Sequence, residues 1–181
     1  MSALYFDDEE EGLARETSHP FFVEHANAEF YYDSADDFSP FGNDSGSDTL
    51  SSLTEWYQER NAGTKATTFL RELIVDAWGF DVAYLDSKNL AQLEVAEPNE
   101  RMLNAETDKA IIATAFGQFK IAGQADKAMI RMAAVAFSRQ RHYAQIAMAR
   151  ESNTWEHGEE YLARLDAMEA NLTAMAHKKA R

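Results

Sequence analysis

The sequence predicts a mainly α-helical single domain, a bundle of about five helices with an irregular acidic segment at its N-terminal end. Three observations lead there. Five stretches repeat apolar residues at spacings of three and four, the pattern of a helix that buries one face. Glycines and capping residues fall at the ends of those stretches. The chain has 181 residues, 45% of them hydrophobic, enough to fill one core.

Residues 1–18 carry the charge block "DDEEE" with only scattered apolar residues, so a mobile acidic tail is expected, at least as far as Glu11, followed by a single helical domain over 19–181. In "HPFFVEHANAEFYYDSADDFSPFGN" the aromatics come in pairs, Phe21-Phe22 and Tyr31-Tyr32, separated by Pro20, Pro40 and Gly42. A short helix around 21–29, an extended piece at 30–32 and aromatics docked on the later helices follow from that pattern.

Asp44 or Ser45 can cap a first long helix, which puts Leu50, Leu53, Trp56 and Tyr57 on one face and stops near Asn61-Ala62-Gly63. A second opens at Thr64, turns Phe69, Leu70, Leu73, Ile74, Ala77 and Trp78 toward the core and ends at Gly79, so the two form an antiparallel pair. Residues 81–100 read as mixed: strand-like alternation at 82–85, a helical turn at 88–93, and an interruption at Pro98. A third helix spans 105–122 and ends at Gly123, with Gly117 inside it marking a close helix contact. Asp126 caps the fourth, whose alanines let neighbours approach closely and suggest the central position. After Ser152-Asn153 a fifth runs from Thr154 toward His177 over a stripe of Trp155, Leu162, Leu165, Met168, Leu172 and Met175, with Lys178, Lys179 and Arg181 near its negative end.

Charge is distributed unevenly. The net formal charge is −14, yet residues 1–60 hold 15 of the 31 acids against two bases, Arg15 and Arg60. Phosphate binding draws on Lys and Arg, so direct nucleic-acid binding by this third is disfavoured and a basic protein is the natural complement. With no cysteine, disulfides, thiolate zinc sites and cysteine nucleophiles are excluded. No run approaches the roughly 18 apolar residues of a membrane span, and the N-terminus is acidic where a secretory signal is basic, so no membrane association and a cytoplasmic location are expected.

The segment "EFYYDSADDFSPFGNDSGSDTLSSLTEW", with "FLRELIVDAWG" and the later "DKAIIATAFGQFKIAG", resembles the YfeS-like family of uncharacterised bacterial proteins. In that family an "FFW...D..SPFGNDDG.DAL...W" segment precedes a helix-rich remainder. The resemblance covers residues 19–138 and rests most specifically on "SPFGND"; Tyr31-Tyr32 and Ser45 depart from the pattern. It implies a cytosolic bacterial protein and transfers no activity or catalytic residue.

The acidic segment has two readings. As a calcium loop from Asp44 it offers Asp48 and Glu55, but Gly46 and Thr49 stand where a ligand and the turn glycine belong, so no metal is expected. As a structural turn, Pro40 and Gly42 shape the chain, Phe41 enters the bundle, and Asn43, Asp44 and Ser45 satisfy free amides of the first long helix. Asp33, Asp36 and Asp37, with Tyr31, Tyr32 and Asp48, then remain as a partner-binding edge. His19, His25 and the histidine of "HGEE" match no helical metal pair and are expected on solvated surface. His142 is a general-base candidate with no partner implied by spacing, and no phosphate loop or serine elbow is present, so no catalytic residue or cofactor is assigned. The leading functional expectation is an acidic protein-binding module, most concretely an immunity-type protein that neutralises a basic toxin or nucleic-acid-handling protein. A small helical enzyme or ligand-binding protein with its site between the "FGND" turn and the His142 helix is the alternative. A transcriptional regulator using "SRQRHY" is the third.

Overall fold

The computed structural model describes residues 3–60, 63–86, 96–150 and 155–178. Among the described residues six helices carry the architecture: α1 (Pro20–His25), α2 (Asp44–Glu59), α3 (Ala66–Arg71), α4 (Pro98–Ala122), α5 (Lys127–Ala149) and α6 (Gly158–His177). There is no strand among the described residues. The helical turn read at 88–93 and the breaks at Asn61-Ala62 and Ser152-Asn153 lie outside the described residues, as do Lys179 and Arg181.

The centre of the bundle is α4, not the alanine-rich α5. Every residue from Ala110 to Gly123 is buried, because α2, α3, α5 and the N-terminal segment pack around it, while α6 lies on α5. A helix covered on all sides has no amphipathic stripe to advertise its position. It is also two turns longer than its apolar pattern suggests. Pro98 begins the helix rather than cutting the chain, since the first helical position needs no amide hydrogen. The far end stops at Gly123, whose φ of 68° is the left-handed cap conformation. Gly117 lets α2 approach: a β-carbon there would come within 2.6 Å of Leu53 Cδ2.

The other elements fit their sequences with local adjustments. In α3 the ladder loosens into a π-type turn over Glu72–Ala77, leaving Leu73 and Ile74 buried but Ala77 exposed. The strand-like 82–85 forms a 3₁₀ turn capped by Asp81, and the expected extended piece at 30–32 lies in another, Glu29–Tyr32. Asp126 precedes α5 but accepts from the Ala66 amide at 2.9 Å, so it caps α3. Trp155 lies before α6, which keeps Leu165, Met168, Leu172 and Met175 in the core.

Residues 3–18 are docked where the composition suggested a mobile tail. The Tyr5 amide donates to the Ile121 carbonyl at 2.9 Å, and the Lys120 ammonium, 1% exposed, donates to Asp7 at 2.6 Å and to the Thr17 carbonyl at 3.2 Å. A buried ammonium without a counter-charge is costly, so Asp7 is held by necessity. Burial lowers the Lys120 pKa, and Asp7 opposes that shift.

The segment between Asp33 and Gly46 is a wound turn built from side chains. Asp33 accepts from the Ala35 amide, Asp36 from Phe38, Ser39 from Gly42 and Asn43 from Gly46, all at 2.8–2.9 Å. The coil is tight enough that glycine is required for space. A β-carbon on Gly46 would clash with the Pro40 carbonyl, and one on Gly42 with those of Asp36 and Asp33. Backbone cannot move aside as a side-chain end can, so Gly46→Ala is expected to lower unfolding free energy by about 2 kcal/mol or more. Ser47→Ala, at an exposed neighbour, should stay within about 0.5 kcal/mol. Urea melts of the two variants check this, and equal midpoints would show that the turn is loose.

Candidate functional site

One side of this turn faces a cleft of ≈ 640 Å³. Asp37, Phe38, Asn43 and Asp44 come to it from the turn and the start of α2, Ala105, Glu106 and Lys109 from α4, Gln140, Tyr143, Ala144 and Ala147 from α5, and Trp155 and Tyr161 from around the start of α6. The alanines keep the α4–α5 floor shallow. Above it, Phe38, Trp155 and Tyr161 form an aromatic wall, with ring centres 4.9 Å (Phe38 to Tyr161), 5.6 Å (Trp155 to Tyr161) and 6.5 Å (Phe38 to Trp155) apart.

Three carboxylates, Asp37, Asp44 and Glu106, share the cleft with one ammonium, Lys109. Glu106 accepts from Lys109 Nζ at 2.8 Å and from the Ser45 hydroxyl. Burial works against its carboxylate, but those two donors outweigh it and hold the pKa below the usual range.

Beneath the wall runs a buried polar chain. The Tyr161 hydroxyl donates to Gln140 Oε1 at 2.9 Å, and Gln140 Nε2 donates to Asp108 Oδ2 at 3.0 Å. Asp108 also receives Arg139 through Nε at 2.9 Å and Nη2 at 2.5 Å. The ion pair is enclosed, with side-chain exposures of 2% for Arg139 and 0% for Asp108. Burial pushes the Asp108 carboxyl up to about 6, against the opposing effect of Arg139 and Gln140. Burial also raises the Tyr161 pKa, with Asp108 and Glu106 acting in the same direction, so its phenol stays protonated and committed to Gln140. The chain fixes the orientation of two groups that face the cleft.

The structure does not gather the expected binding edge on one surface. The Tyr31 ring is fully buried against Phe22 and Phe116, and its hydroxyl accepts from Asn171 Nδ2 at 2.9 Å. Tyr32 is half-buried, with Arg15 over its ring at 4.4 Å. Asp36 pairs with Arg164 at 2.5 Å, and Arg164 stacks on Phe30 at 4.0 Å. Asp33 is exposed but serves the turn, and Asp48 is exposed on α2. Of the acidic run only Asp37 reaches the cleft, together with Asn43 and Asp44 from the turn. Pro40 and Phe41 are buried as the turn reading expects; the capping side chain, however, is Asn43, while Asp44 is the first helical residue, favourably placed at the positive end of α2.

The histidines also shift roles. His19 caps α1 by accepting from the Phe21 amide at 3.1 Å, and His25 Nδ1 lies 2.9 Å from the Phe21 carbonyl, so both are half-buried rather than solvated. His157 is exposed near Glu160. His142 does not line the cleft. In "SRQRHY" Arg139 is held by Asp108, and Arg141 by Asp166 and Glu169, so both guanidiniums are engaged within the fold. Among the described residues no cluster of three metal-ligating side chains exists, and no helix is long and apolar enough to cross a membrane.

Fold and site define the class: a mainly α-helical single-domain protein with an acidic, aromatic-walled cleft between its turn and its two longest helices. The chain belongs to the YfeS family. It is 32% identical over 178 residues to the protein named "Uncharacterized protein YfeS" of Escherichia coli (strain K12), an alignment covering 98% of this chain and 70% of that one. No family model matches the chain, and no solved structure matches it.

The buried pair yields a stability prediction. Arg139→Met strands the Asp108 carboxylate and should cost about 3–5 kcal/mol at pH 8. Without Arg139 the Asp108 pKa rises beyond its present value of about 6, further above that of the unfolded chain. The stabilisation is then present at low pH and lost as pH climbs through and above 6. The deficit relative to wild type should therefore be smaller at pH 5 than at pH 8. A pH-independent deficit in paired denaturation curves would contradict the assignment.

Proposed function

We propose that the protein is a binding protein whose cleft receives a basic side chain of a protein partner. The observation that carries this reading is the lining: three carboxylates against one ammonium, beside a wall of three aromatic rings. A cation gains from both features, by charge-assisted hydrogen bonds to carboxylates and by attraction to ring faces. The acidic first third adds a longer-range field that draws a basic partner in and aligns it before contact. The most concrete form of the reading is a cytoplasmic immunity-type protein that neutralises a basic toxin or a nucleic-acid-handling protein by occupying a cationic working surface.

A second reading has its own support. At ≈ 640 Å³ the cleft falls within the size range of small-molecule sites, about 300–1,000 Å³, and it lies beside the "FGND" turn and α5. A small helical enzyme or a carrier of a small cation would use the same groups.

Titration calorimetry with an oligo-arginine peptide should show saturable binding that weakens steadily with added salt. Asp37→Asn, at an exposed residue, should weaken that binding by about five- to tenfold while leaving the melting temperature unchanged. Equal binding of an oligo-glutamate peptide, or no binding of the basic one, would refute the proposal.

A further inference from the structure

The cleft does not end at its acidic part. A second depression of ≈ 280 Å³ continues it along the α4–α5 seam, and the two share Ala105, Tyr143 and Ala147 as common floor. Its far end has the opposite character. Arg101 and Arg150 flank it, neither engaged in an ion pair among the described residues, and Met102 at its lip is 54% exposed. At the junction the Tyr143 hydroxyl is buried with no hydrogen-bond partner among the described residues. A polar group in that state costs free energy unless something supplies a partner.

From this arrangement we infer that the groove as a whole binds an extended peptide segment that carries a basic side chain and, two or three residues away, a carboxylate. The inference rests on the cation-binding reading of the cleft and adds the second half of the ligand. Its spacing comes from α4. Glu106 and Arg101 are five residues apart on one helix, about 7.5 Å along the axis. An extended chain advances about 3.3–3.6 Å per residue, so two or three residues bridge the acidic and basic ends. The apolar lip of Met102 takes the intervening side chains, and the Tyr143 side chain forms the floor where the two depressions meet. Opposite charges at the two ends also set the direction in which a peptide lies, and a peptide entered backwards would place like charges together.

The test compares two capped tetrapeptides, acetyl-Arg-Ala-Ala-Glu-amide and acetyl-Arg-Ala-Ala-Gln-amide, against the full chain and the double variant Arg101→Ser/Arg150→Ser. Neither arginine is in an ion pair among the described residues, so the variant should melt with wild type. For wild type, the glutamate peptide should bind about tenfold more tightly than the glutamine peptide, and the double variant should bind the two equally. If wild type binds both peptides alike, or the variant keeps the preference, the groove proposal fails while the cation reading stands. If neither peptide binds, both fail. Arginine amide alone binding as tightly as the glutamate peptide would also overturn the proposal, in favour of a small cationic ligand.

Discussion

The structure depends on one constraint: α4 is buried at Asp108 and on every side from Ala110 to its end at Ala122, yet its sequence is not purely apolar. Thr114 can satisfy itself by donating to the Ala110 carbonyl at 2.8 Å, but the longer polar groups cannot. Gln118 reaches Tyr57 of α2 and the Asp126 amide, Lys120 requires Asp7 and Thr17, and Asp108 requires Arg139 and Gln140 of α5. Each unsatisfied group would cost roughly 1–3 kcal/mol, and more where charged. The neighbours of α4 are thus specified in register as well as in proximity. The same accounting docks the N-terminal segment and orients Gln140 and Tyr161 at the cleft.

Much of the architecture was legible because it follows from local chemistry. The apolar face of α2, the stop at Gly123 and the core stripe of α6 are written in nearby residues. Where the reading failed, a non-local cause prevailed. All-round burial removes the 3.6-residue stripe, so α4 did not look central. Pro98 reads equally as an interruption or a helix start until the following turns are seen packed. Five acids among the first eleven residues suggested mobility, because nothing near them in sequence reveals the buried Lys120 that recruits Asp7.

The candidate site was legible only in part. The turn residues that reach the cleft, Asn43 and Asp44, were singled out, and so was Asp37. The remainder comes from three other segments, and the pair beneath it, Arg139 with Asp108, is separated by 31 residues. The conspicuous aspartates of the acidic run divide by geometry. Asp33 and Asp36 wind the turn, Asp36 also anchors Arg164 of α6, and Asp37 is left facing the cleft. An acidic segment is therefore scaffold at Asp33 and Asp36 and cleft lining at Asp37. Its spacing of three residues between Asp33, Asp36 and Ser39 was the available signal, since side-chain acceptors repeated at that interval suit successive turns.

The protein's three tryptophans permit a direct test of the cleft as the working site. Trp155 lines it, whereas Trp56 packs against Tyr57 and Phe69, and Trp78 against Phe80, both outside the cleft lining. In a nitrogen-15 NMR titration with the capped Arg-Ala-Ala-Glu peptide, the Trp155 indole resonance should shift saturably while those of Trp56 and Trp78 stay in place. Saturable shifts confined to Trp56 or Trp78, or none at peptide concentrations where calorimetry registers binding, would contradict the cleft as the seat of recognition.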